Sequence, residues 1–330
     1  MYVYYTVDTE FWPANCANPD FSRIEDDVQR DVFGVNHGRE FGLRYQMDVL
    51  EAEGLKGVFF IEALHALKLG TAYLRKIVGI VQSRGHEAAL HIHPEWLGWM
   101  DERHVEGRDS QFLGDFSATD QQWIVSQAVR LMQEAGVNPV VSFRGGNFSG
   151  NNNTLRALAT EGVTFDSTYN IASLVCGIQG KMPFTRPQRL ERLIEVPTTF
   201  IEDYPGHYRP MQIRAASLTE MCMALERAHE RGFSSFVLVS HSFELLHRYQ
   251  GSTALDAIVQ RRFEGLIKYL GRNRHRYQVT TFSETDQERL FEDVPDDSPV
   301  KGSFWQTWER LLEQFMRRAV AWRMFSCVPR

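Results

Sequence analysis

Short apolar runs recur along this chain of 330 residues, and longer segments with an apolar residue every three or four positions lie between them. The short runs are typical of buried strands, whereas the longer segments are typical of helices that bury one face. The predicted strands are residues 3–8, 57–62, 86–93, 140–144, 164–169, 193–200, 235–241 and 278–283. The predicted helices are residues 42–53, 73–84, 118–135, 153–160, 218–231 and 254–272.

Strands and helices therefore alternate along most of the chain, which implies a parallel sheet that is either doubly wound or closed into a barrel. Polar and charged residues follow the ends of several different strands. Because the rim of a barrel gathers the loops after all its strands, this distribution favours the barrel. We expect one α/β barrel domain over residues 1–285, and no glycine-rich nucleotide-binding loop follows any predicted strand.

Two segments interrupt or follow this alternation. Residues 12–39 are rich in Asn, Asp and Pro, and we expect a long loop that forms a lid or a wall of the substrate site. Residues 286–302 are acidic and contain prolines, so we expect a linker after the barrel.

The last segment, residues 303–330, has the pattern of an amphipathic helix. Its apolar stripe contains Trp305, Trp308, Leu312, Phe315, Ala319 and Trp322. The pattern favours a helix packed on the barrel or on a second copy of the chain. The alternative is peripheral attachment to a membrane surface, since tryptophans and arginines are frequent in helices of that kind.

Composition and charge narrow the function classes. Hydrophobic residues are 43% of the chain and charged residues 24%, as expected for a packed globular core. The net charge of −6 argues against nucleic acid as a partner, because phosphate binding needs a clustered basic surface. The four cysteines are scattered, and the first strand does not have the pattern of a signal peptide. We expect a cytoplasmic protein that can act at the inner face of a membrane.

Two pairs of candidate metal-site residues stand at strand ends. Asp8 and Glu10 are two residues apart, as are His91 and His93, and alternate residues of a strand point to the same face. One carboxylate can bind a metal while the other takes a proton from water. Two histidines with a carboxylate suit zinc, and also cobalt, manganese or iron.

Three further candidates follow other strands. Arg144 ends an apolar run and can hold a carboxylate ionised and oriented. His241 ends another and can donate a proton to a leaving amine, with Asp166 as a candidate partner for its imidazolium form.

These motifs resemble those of the polysaccharide deacetylase superfamily, carbohydrate esterase family 4, over roughly residues 2–285. The resemblance is closest to the WalW-like and WbmS-like branch associated with bacterial surface polysaccharides. It rests on the motifs Asp8-Thr9-Glu10, Gly85-His86-Glu87 leading to His91-Ile92-His93, Phe143-Arg144-Gly145-Gly146, Phe165-Asp166-Ser167-Thr168-Tyr169 and Ser240-His241-Ser242.

The resemblance implies a distorted (β/α) barrel of seven or eight strands, TIM-like, that removes N- or O-acetyl groups from sugars. It implies that Asp8 is the catalytic base and that Arg144 orients it. It further implies that Asp166 tunes the catalytic His241. The implied metal ligands are Glu10, His91 and His93.

Three departures from the family motifs leave alternatives open. The first motif is Asp-x-Glu rather than two adjacent aspartates, so Asp8 and Glu10 can exchange roles. Glu95 stands where a second ligand histidine is usual, so the ligand is His93 or Glu95 joins the shell. Glycines and an asparagine replace the usual prolines after Arg144.

The expected substrate is an acetylated sugar of a surface polysaccharide, or of its lipid-linked or nucleotide precursor. The residues expected to contact it are Trp96, Gly145, Gly146, Asn147 and Tyr169. Two other functions remain open. One is hydrolysis of a different C–N bond on the same barrel, and the other is glycan binding by a degenerate barrel without catalysis.

Overall fold

Seven parallel strands form the central sheet of the computed structural model, which describes residues 1–106, 109–181, 184–249, 252–291 and 298–325. They are β1 (Tyr2–Thr9), β2 (Val58–Glu62), β3 (Glu87–Ile92), β4 (Ser142–Gly145), β5 (Phe165–Asp166), β6 (Leu193–Glu195) and β7 (Ser235–His241). Their spatial order is β7-β1-β2-β3-β4-β5-β6. Short strands extend the sheet: Gln188–Leu190 runs antiparallel to β6, and Gln278–Val279 runs parallel to β1.

The path of paired strands is open between β6 and β7 in the described part of the chain. Single backbone hydrogen bonds span this gap: Thr199 N donates to Val237 O at 3.3 Å, and Ile213 N donates to Val239 O at 3.0 Å. The mixed α/β fold with a curled parallel sheet is thus confirmed, and the curl brings the C-terminal strand ends together.

Nine helices surround or follow this sheet in the described residues. They are α1 (Ile24–Asp31), α2 (Leu43–Ala52), α3 (His65–Leu69), α4 (Ala72–Ser83), α5 (Ala118–Glu134), α6 (Asn152–Thr160), α7 (Leu218–Glu230), α8 (Ala257–Arg272) and α9 (Phe304–Phe325). Short strand pairs join Val35–Asn36 to Arg39–Glu40, Gly150–Asn151 to Cys176–Gly177, and Leu246–Tyr249 to Ser252–Leu255. A small separate sheet contains Phe200–Tyr204, His207–Pro210 and Val300–Lys301.

The alternation of side chains between the two faces of β1 explains how the sheet positions its polar residues. Tyr2 and Tyr4 belong to the apolar cluster inside the curled sheet, while Val3 and Tyr5 belong to the cluster that packs against the helices. Because side chains alternate along a strand, Asp8 continues the inner face at the end of the strand. The fold therefore places Asp8 at the mouth of the curled sheet.

Part of the segment predicted as a loop, residues 12–39, is ordered as helix α1 and a short hairpin. Ile24 and Val28 of α1 are buried four residues apart. Asp20 caps the short helical turn Phe21–Arg23 that precedes α1, because its side chain accepts a hydrogen bond from Ser22 N. The sequence prediction was wrong here because α1 has only eight residues and most of them are charged or polar, so two apolar positions do not distinguish this helix from a polar loop.

Helix α9 overlaps the segment predicted at residues 303–330, whose last five residues lie outside the described part of the chain. It packs beside α7. Its apolar stripe does not provide this packing, because Trp305, Trp308 and Phe315 are exposed. Within the predicted linker, Val300–Lys301 pairs with the strand Phe200–Tyr204, and residues 292–297 lie outside the described residues.

Among the helices that the structure describes, none has the length and hydropathy needed to span a bilayer.

Candidate functional site

Glu10, His91 and His93 form a buried cluster at the C-terminal ends of β1 and β3. One ligand atom from each residue lies within 4.8 Å of the others. Glu10 Oε2 is 3.6 Å from His91 Nε2 and also contacts His93 Nε2. Of the two carboxylates in the first motif, the structure therefore groups Glu10 with the histidines.

The other ring nitrogen of each histidine has its own partner. His91 Nδ1 donates to the backbone oxygen of Arg144 at 2.7 Å, and His93 Nδ1 lies 3.3 Å from Glu95 Oε2. Such contacts fix the tautomer and leave Nε2 free to bind a metal. Glu95 therefore orients His93 through Nδ1, whereas Glu10 contacts Nε2 of the same ring. Glu95 lies outside the three-residue cluster.

The cluster fits a divalent metal. Glu10 Oε2 is buried, and among the described residues it contacts only the two imidazoles, so it is an acceptor placed to bind a cation. Burial alone raises the pKa of Glu10, but the charges and hydrogen bonds of His93 and His91 hold it well below its usual value. An ionised carboxylate with two imidazole nitrogens is a donor set typical of zinc and related ions.

Asp8 is held by Arg144. The guanidinium Nη1 donates to Asp8 Oδ1 at 2.7 Å, and both side chains are buried. Arg144 also donates from Nε to the backbone oxygen of Ser167 at 3.0 Å and lies 4.3 Å from the ring centre of Phe60. Because these contacts fix the guanidinium, they fix Asp8 as well.

His241 ends β7, directly beside Asp8 in the sheet register. Its Nε2 lies 4.0 Å from Asp8 Oδ2, and its Nδ1 lies 2.7 Å from Glu244 Oε2. Burial alone lowers the pKa of His241, but the charge and hydrogen bond of Glu244 raise it to about 9. His241 is therefore protonated at neutral pH and has its Nε2 proton directed toward the site.

Glu244 was missed by the sequence analysis, which expected Asp166 to contact His241. In the structure Asp166 Oδ1 instead accepts hydrogen bonds from Thr168, through its backbone N at 3.1 Å and its hydroxyl at 2.5 Å. The pairing was wrong because Glu244, in the turn after β7, contacts Nδ1 of His241, while Nε2 faces Asp8. The only sequence signal for Glu244 is its position three residues after His241, in the turn that ends β7.

Asp166 pairs with a second carboxyl group that the sequence did not indicate. Glu195 is its register partner on β6, and both residues are buried. Burial and the charge of Asp166 raise the pKa of Glu195 well above its usual value, and burial also raises the pKa of Asp166. Glu195 is therefore the carboxyl group of the pair that keeps its proton to higher pH. Through Thr168, which accepts from Gly145 N at 2.9 Å, the pair supports the end of β4.

A cavity of about 350 Å³ joins these groups. Its walls contain Asp8, Glu10, His91, His93 and His241, together with Asn147, Phe148, Asn170, Ala172, Ser173 and Pro210. Of the five predicted substrate contacts, Asn147 is in this wall. Asn170 and Ser173 add polar groups that sequence reasoning missed, because they lie in a loop without a recognisable motif.

The predicted aromatic contacts with substrate are wrong, since neither residue lines the cavity. Trp96 is 1% exposed and packs among aromatic rings, including that of Phe11. Tyr169 is 2% exposed and stacks on Phe184.

Gly145 and Gly146 serve close packing rather than contact with substrate. A Cβ atom on Gly145 would lie 2.1 Å from the backbone oxygen of Ser149. A Cβ atom on Gly146 would lie 2.7 Å from ring atoms of His93. The absence of a side chain at Gly146 therefore makes room for a residue of the metal cluster.

No protein-family model and no curated protein sequence matches the chain. Solved structures with similar folds include a predicted polysaccharide deacetylase from Mycobacterium smegmatis, at 18% identity and a TM-score of 0.49, covering 86% of this chain and 87% of that one. A family 4 carbohydrate esterase from Streptomyces lividans has 11% identity and a TM-score of 0.43, covering 89% and 98%.

The 4-alpha-glucanotransferase from Thermococcus litoralis has 11% identity and a TM-score of 0.51, covering 99% of this chain and 48% of that one. A family 4 pseudoenzyme from Bacillus anthracis is also among the similar structures. At these identities the likeness extends to the fold alone.

Proposed function

We propose that this chain is a metal-dependent hydrolase that removes an N-acetyl or O-acetyl group from a sugar. The proposed substrate belongs to a bacterial surface polysaccharide or to its lipid-linked or nucleotide precursor. The observation that carries the proposal is one cavity lined by a candidate metal cluster, a carboxylate oriented by Arg144 and a histidine paired with Glu244. A module that only binds glycans needs none of these three, so hydrolysis explains the site better than binding alone.

Asp8 acts as the general base in this proposal. Arg144 holds its Oδ1 at 2.7 Å, which leaves Oδ2 facing the cavity and His241. A carboxylate fixed in this way can take a proton from the attacking water. The second oxygen needs no rearrangement to do so, because the guanidinium already determines the plane of the carboxylate.

His241 acts as the general acid. Glu244 keeps it protonated, and its Nε2 faces the cavity 4.0 Å from Asp8 Oδ2. A protonated imidazole in this position can donate to the nitrogen or oxygen of the departing sugar as the bond to the acetyl carbon breaks. The base and the acid therefore lie within one cavity, as a single hydrolytic step requires.

Glu10, His91 and His93 would hold the divalent metal, for which zinc is the first candidate and cobalt, manganese or iron the alternatives. When bound, such an ion supplies a Lewis acid for a carbonyl oxygen and lowers the pKa of water. The cavity volume of about 350 Å³ falls within the range of roughly 300–1,000 Å³ found for small-molecule sites. Asn147, Asn170 and Ser173 offer polar groups to sugar hydroxyls.

The proposal is tested by elemental analysis of the purified chain, followed by acetate release from N-acetylated and O-acetylated sugars. The wild type is compared with His91→Ala and with His104→Ala as a control, since His104 stacks on Trp123 away from the cluster. We expect about one metal equivalent in the wild type and the control, none in His91→Ala, and acetate release that follows metal content. A wild type that stays metal-free after incubation with zinc or cobalt would contradict the proposal.

A further inference from the structure

Helix α9 docks on the protein through its polar side. Arg310 donates from Nε to Glu220 Oε1 at 3.0 Å, and Arg317 donates from Nε to Asp256 Oδ2 at 2.8 Å, and both arginines are buried. Glu313 accepts from Arg262 of α8 at 2.5 Å. Buried ion pairs of this kind need one geometry, so they fix which side of the helix faces the protein.

The opposite side of α9 is apolar and exposed. We define the outer face of α9 as Phe304, Trp305, Trp308, Leu311, Leu312, Phe315, Met316 and Val320. Trp305 is 78% exposed and Phe315 is 71% exposed. Eight of the ten large hydrophobic side chains that are exposed in the described residues belong to this one face. A contiguous apolar patch of this kind marks an interaction surface.

An arginine-lined cavity borders the outer face. We define the arginine pocket as the cavity of about 350 Å³ lined by Arg214, His247, Gln314, Arg317, Arg318 and Ala321. Residues three or four apart are neighbours on a helix, so Arg318 of the pocket lies next to Phe315 of the outer face. Apolar and cationic surfaces therefore meet along α9.

The charges in the arginine pocket do not balance. Asp256 Oδ2 contacts Arg317 at 2.8 Å and Arg214 at 3.9 Å, and its side chain is buried. Asp256 Oδ2 also lies 3.3 Å from His247 Nε2, and the charge of Glu244 acts on Arg214. Three guanidinium groups thus face two carboxylates among the residues that the structure describes, which leaves a surplus of positive charge. Guanidinium groups bind phosphate oxygens through paired N–H donors, so the surplus charge suits a phosphate group.

We propose that the outer face of α9 and the arginine pocket together form a docking surface for a bilayer that contains anionic phospholipids. The aromatic and aliphatic side chains enter the boundary between headgroups and acyl chains, where tryptophan is favoured. Headgroup phosphates contact the arginines, which adds electrostatic attraction to the burial of apolar surface. Charge complementarity favours this occupant over a second copy of the chain, whose outer face would bring no phosphate or carboxylate cluster to the pocket.

The docking surface adjoins the candidate active site without being part of it. The backbone N of Arg214 donates to Glu244 Oε1 at 3.2 Å, while its side chain lines the arginine pocket. Arg214 therefore links the arginine pocket to Glu244, the partner of His241. The surface itself shares no residue with the cavity that contains His241, so its test is independent of the proposed hydrolase function.

The test is co-flotation of the full chain with vesicles of pure phosphatidylcholine and with vesicles that also contain phosphatidylglycerol. Phe315→Glu and Arg318→Glu change the apolar and cationic parts at exposed positions. Leu174→Glu and Arg23→Glu are matched controls on exposed residues elsewhere. We expect binding to the phosphatidylglycerol vesicles, roughly tenfold weaker after either α9 substitution and unchanged in the controls.

Each other result overturns the proposal. Equal binding to both vesicle types that Arg318→Glu leaves unchanged would remove the role of anionic lipid. No vesicle binding by a dimer that Phe315→Glu converts to a monomer would assign the outer face to a second copy. No vesicle binding by a monomer would reject the docking surface altogether. Circular dichroism of each variant excludes misfolding as the cause.

Discussion

Glu244 Oε2 lies 2.7 Å from Nδ1 of His241, and this contact determines the protonation state of the histidine. Burial by itself would favour the neutral ring, because a low-dielectric environment disfavours charge. The carboxylate reverses this preference and raises the pKa of His241 to about 9. An acid that must donate a proton is thus kept charged at neutral pH.

Replacing Glu244 with glutamine should move the alkaline limb of the activity profile to lower pH. In the wild type, the acid form of His241 is lost as the pH rises through about 9. Without this carboxylate, the burial that lowers the pKa of His241 is opposed only by the charges of Asp8 and Glu10, so the acid form should be lost at a lower pH than in the wild type. The measurement is acetate release against pH, with kcat at neutral pH expected to fall by at least tenfold.

The contact between Glu244 and His241 also makes the free energy of unfolding fall as the pH rises. Because the folded state raises the pKa of His241, the stabilising contribution is complete below about pH 6.5 and is lost as the pH rises through about 9. Glu51→Gln is the matched control for Glu244→Gln, since Glu51 contacts a different histidine, His86, at 3.1 Å.

An unchanged alkaline limb of the activity profile in Glu244→Gln would show that His241 is not the proton donor.

Asp8→Asn and Glu10→Gln should separate the base from the metal ligand. Asp8→Asn should retain metal and lower kcat by about 10²–10⁴-fold, because the proton acceptor is removed. Glu10→Gln should lose metal, because it removes the charged ligand between His91 and His93. Metal content after dialysis and acetate release are measured on the same samples. Metal loss in Asp8→Asn with retention in Glu10→Gln would exchange the two roles.

Gly146→Ala should weaken metal binding while leaving the fold intact. The added Cβ would lie 2.7 Å from ring atoms of His93, so the ring must shift and its contacts with Glu10 and Glu95 must change. Disturbing the contacts that orient a ligand histidine typically lowers metal affinity by about 10–100-fold. Calorimetric titration with zinc gives the affinity of each variant.

Gly79→Ala is the matched control for this substitution. Gly79 lies within α4 and a Cβ atom there would meet nothing within 4 Å. Alanine is also favoured over glycine inside a helix by about 1 kcal/mol. We expect unchanged zinc affinity in Gly79→Ala, and equal affinities for both variants would show that His93 is not held against Gly146.

The parts of the fold and site that the sequence predicted depend on strand geometry. Alternation along β1 and β3 predicts that Asp8 and Glu10 share a face, as do His91 and His93. Parallel strands then bring their C-terminal ends to one rim, which is why these motifs meet in space although they are far apart in sequence. Arg144 is predicted for the same reason.

The parts that the sequence missed depend on neighbours that periodicity does not specify. A carboxylate three residues after His241 has no distinctive pattern, because turns are rich in polar residues. The sequence does not distinguish a Trp96 that contacts a sugar from one that packs edge to face against Phe11. The periodicity of α9 predicts an apolar face, but the buried arginines of the polar side, Arg310 and Arg317, decide which face docks.

Glu195→Gln should raise stability at mildly alkaline pH without affecting it in acid. In the wild type, burial and the neighbouring Asp166 raise the pKa of Glu195 well above 4.5, so the folded state holds a proton that the unfolded chain releases. The stabilising contribution is therefore complete below about pH 4.5 and is lost as the pH rises toward the folded pKa. In that window the stability of the wild type falls by up to about 1.4 kcal/mol per pH unit.

Glutamine removes this dependence because its amide carries permanent donors. Its carbonyl oxygen can accept the 2.9 Å hydrogen bond that Tyr169 N now gives to Glu195 Oε1, and its amide N can donate to Asp166 Oδ2. Each kcal/mol recovered should raise Tm by about 2–4 °C. Thermal unfolding is followed across pH, with the exposed Glu134→Gln on α5 as a control. A parallel decline of Tm with pH in Glu195→Gln and the wild type would show that Glu195 does not hold the proton responsible for the decline.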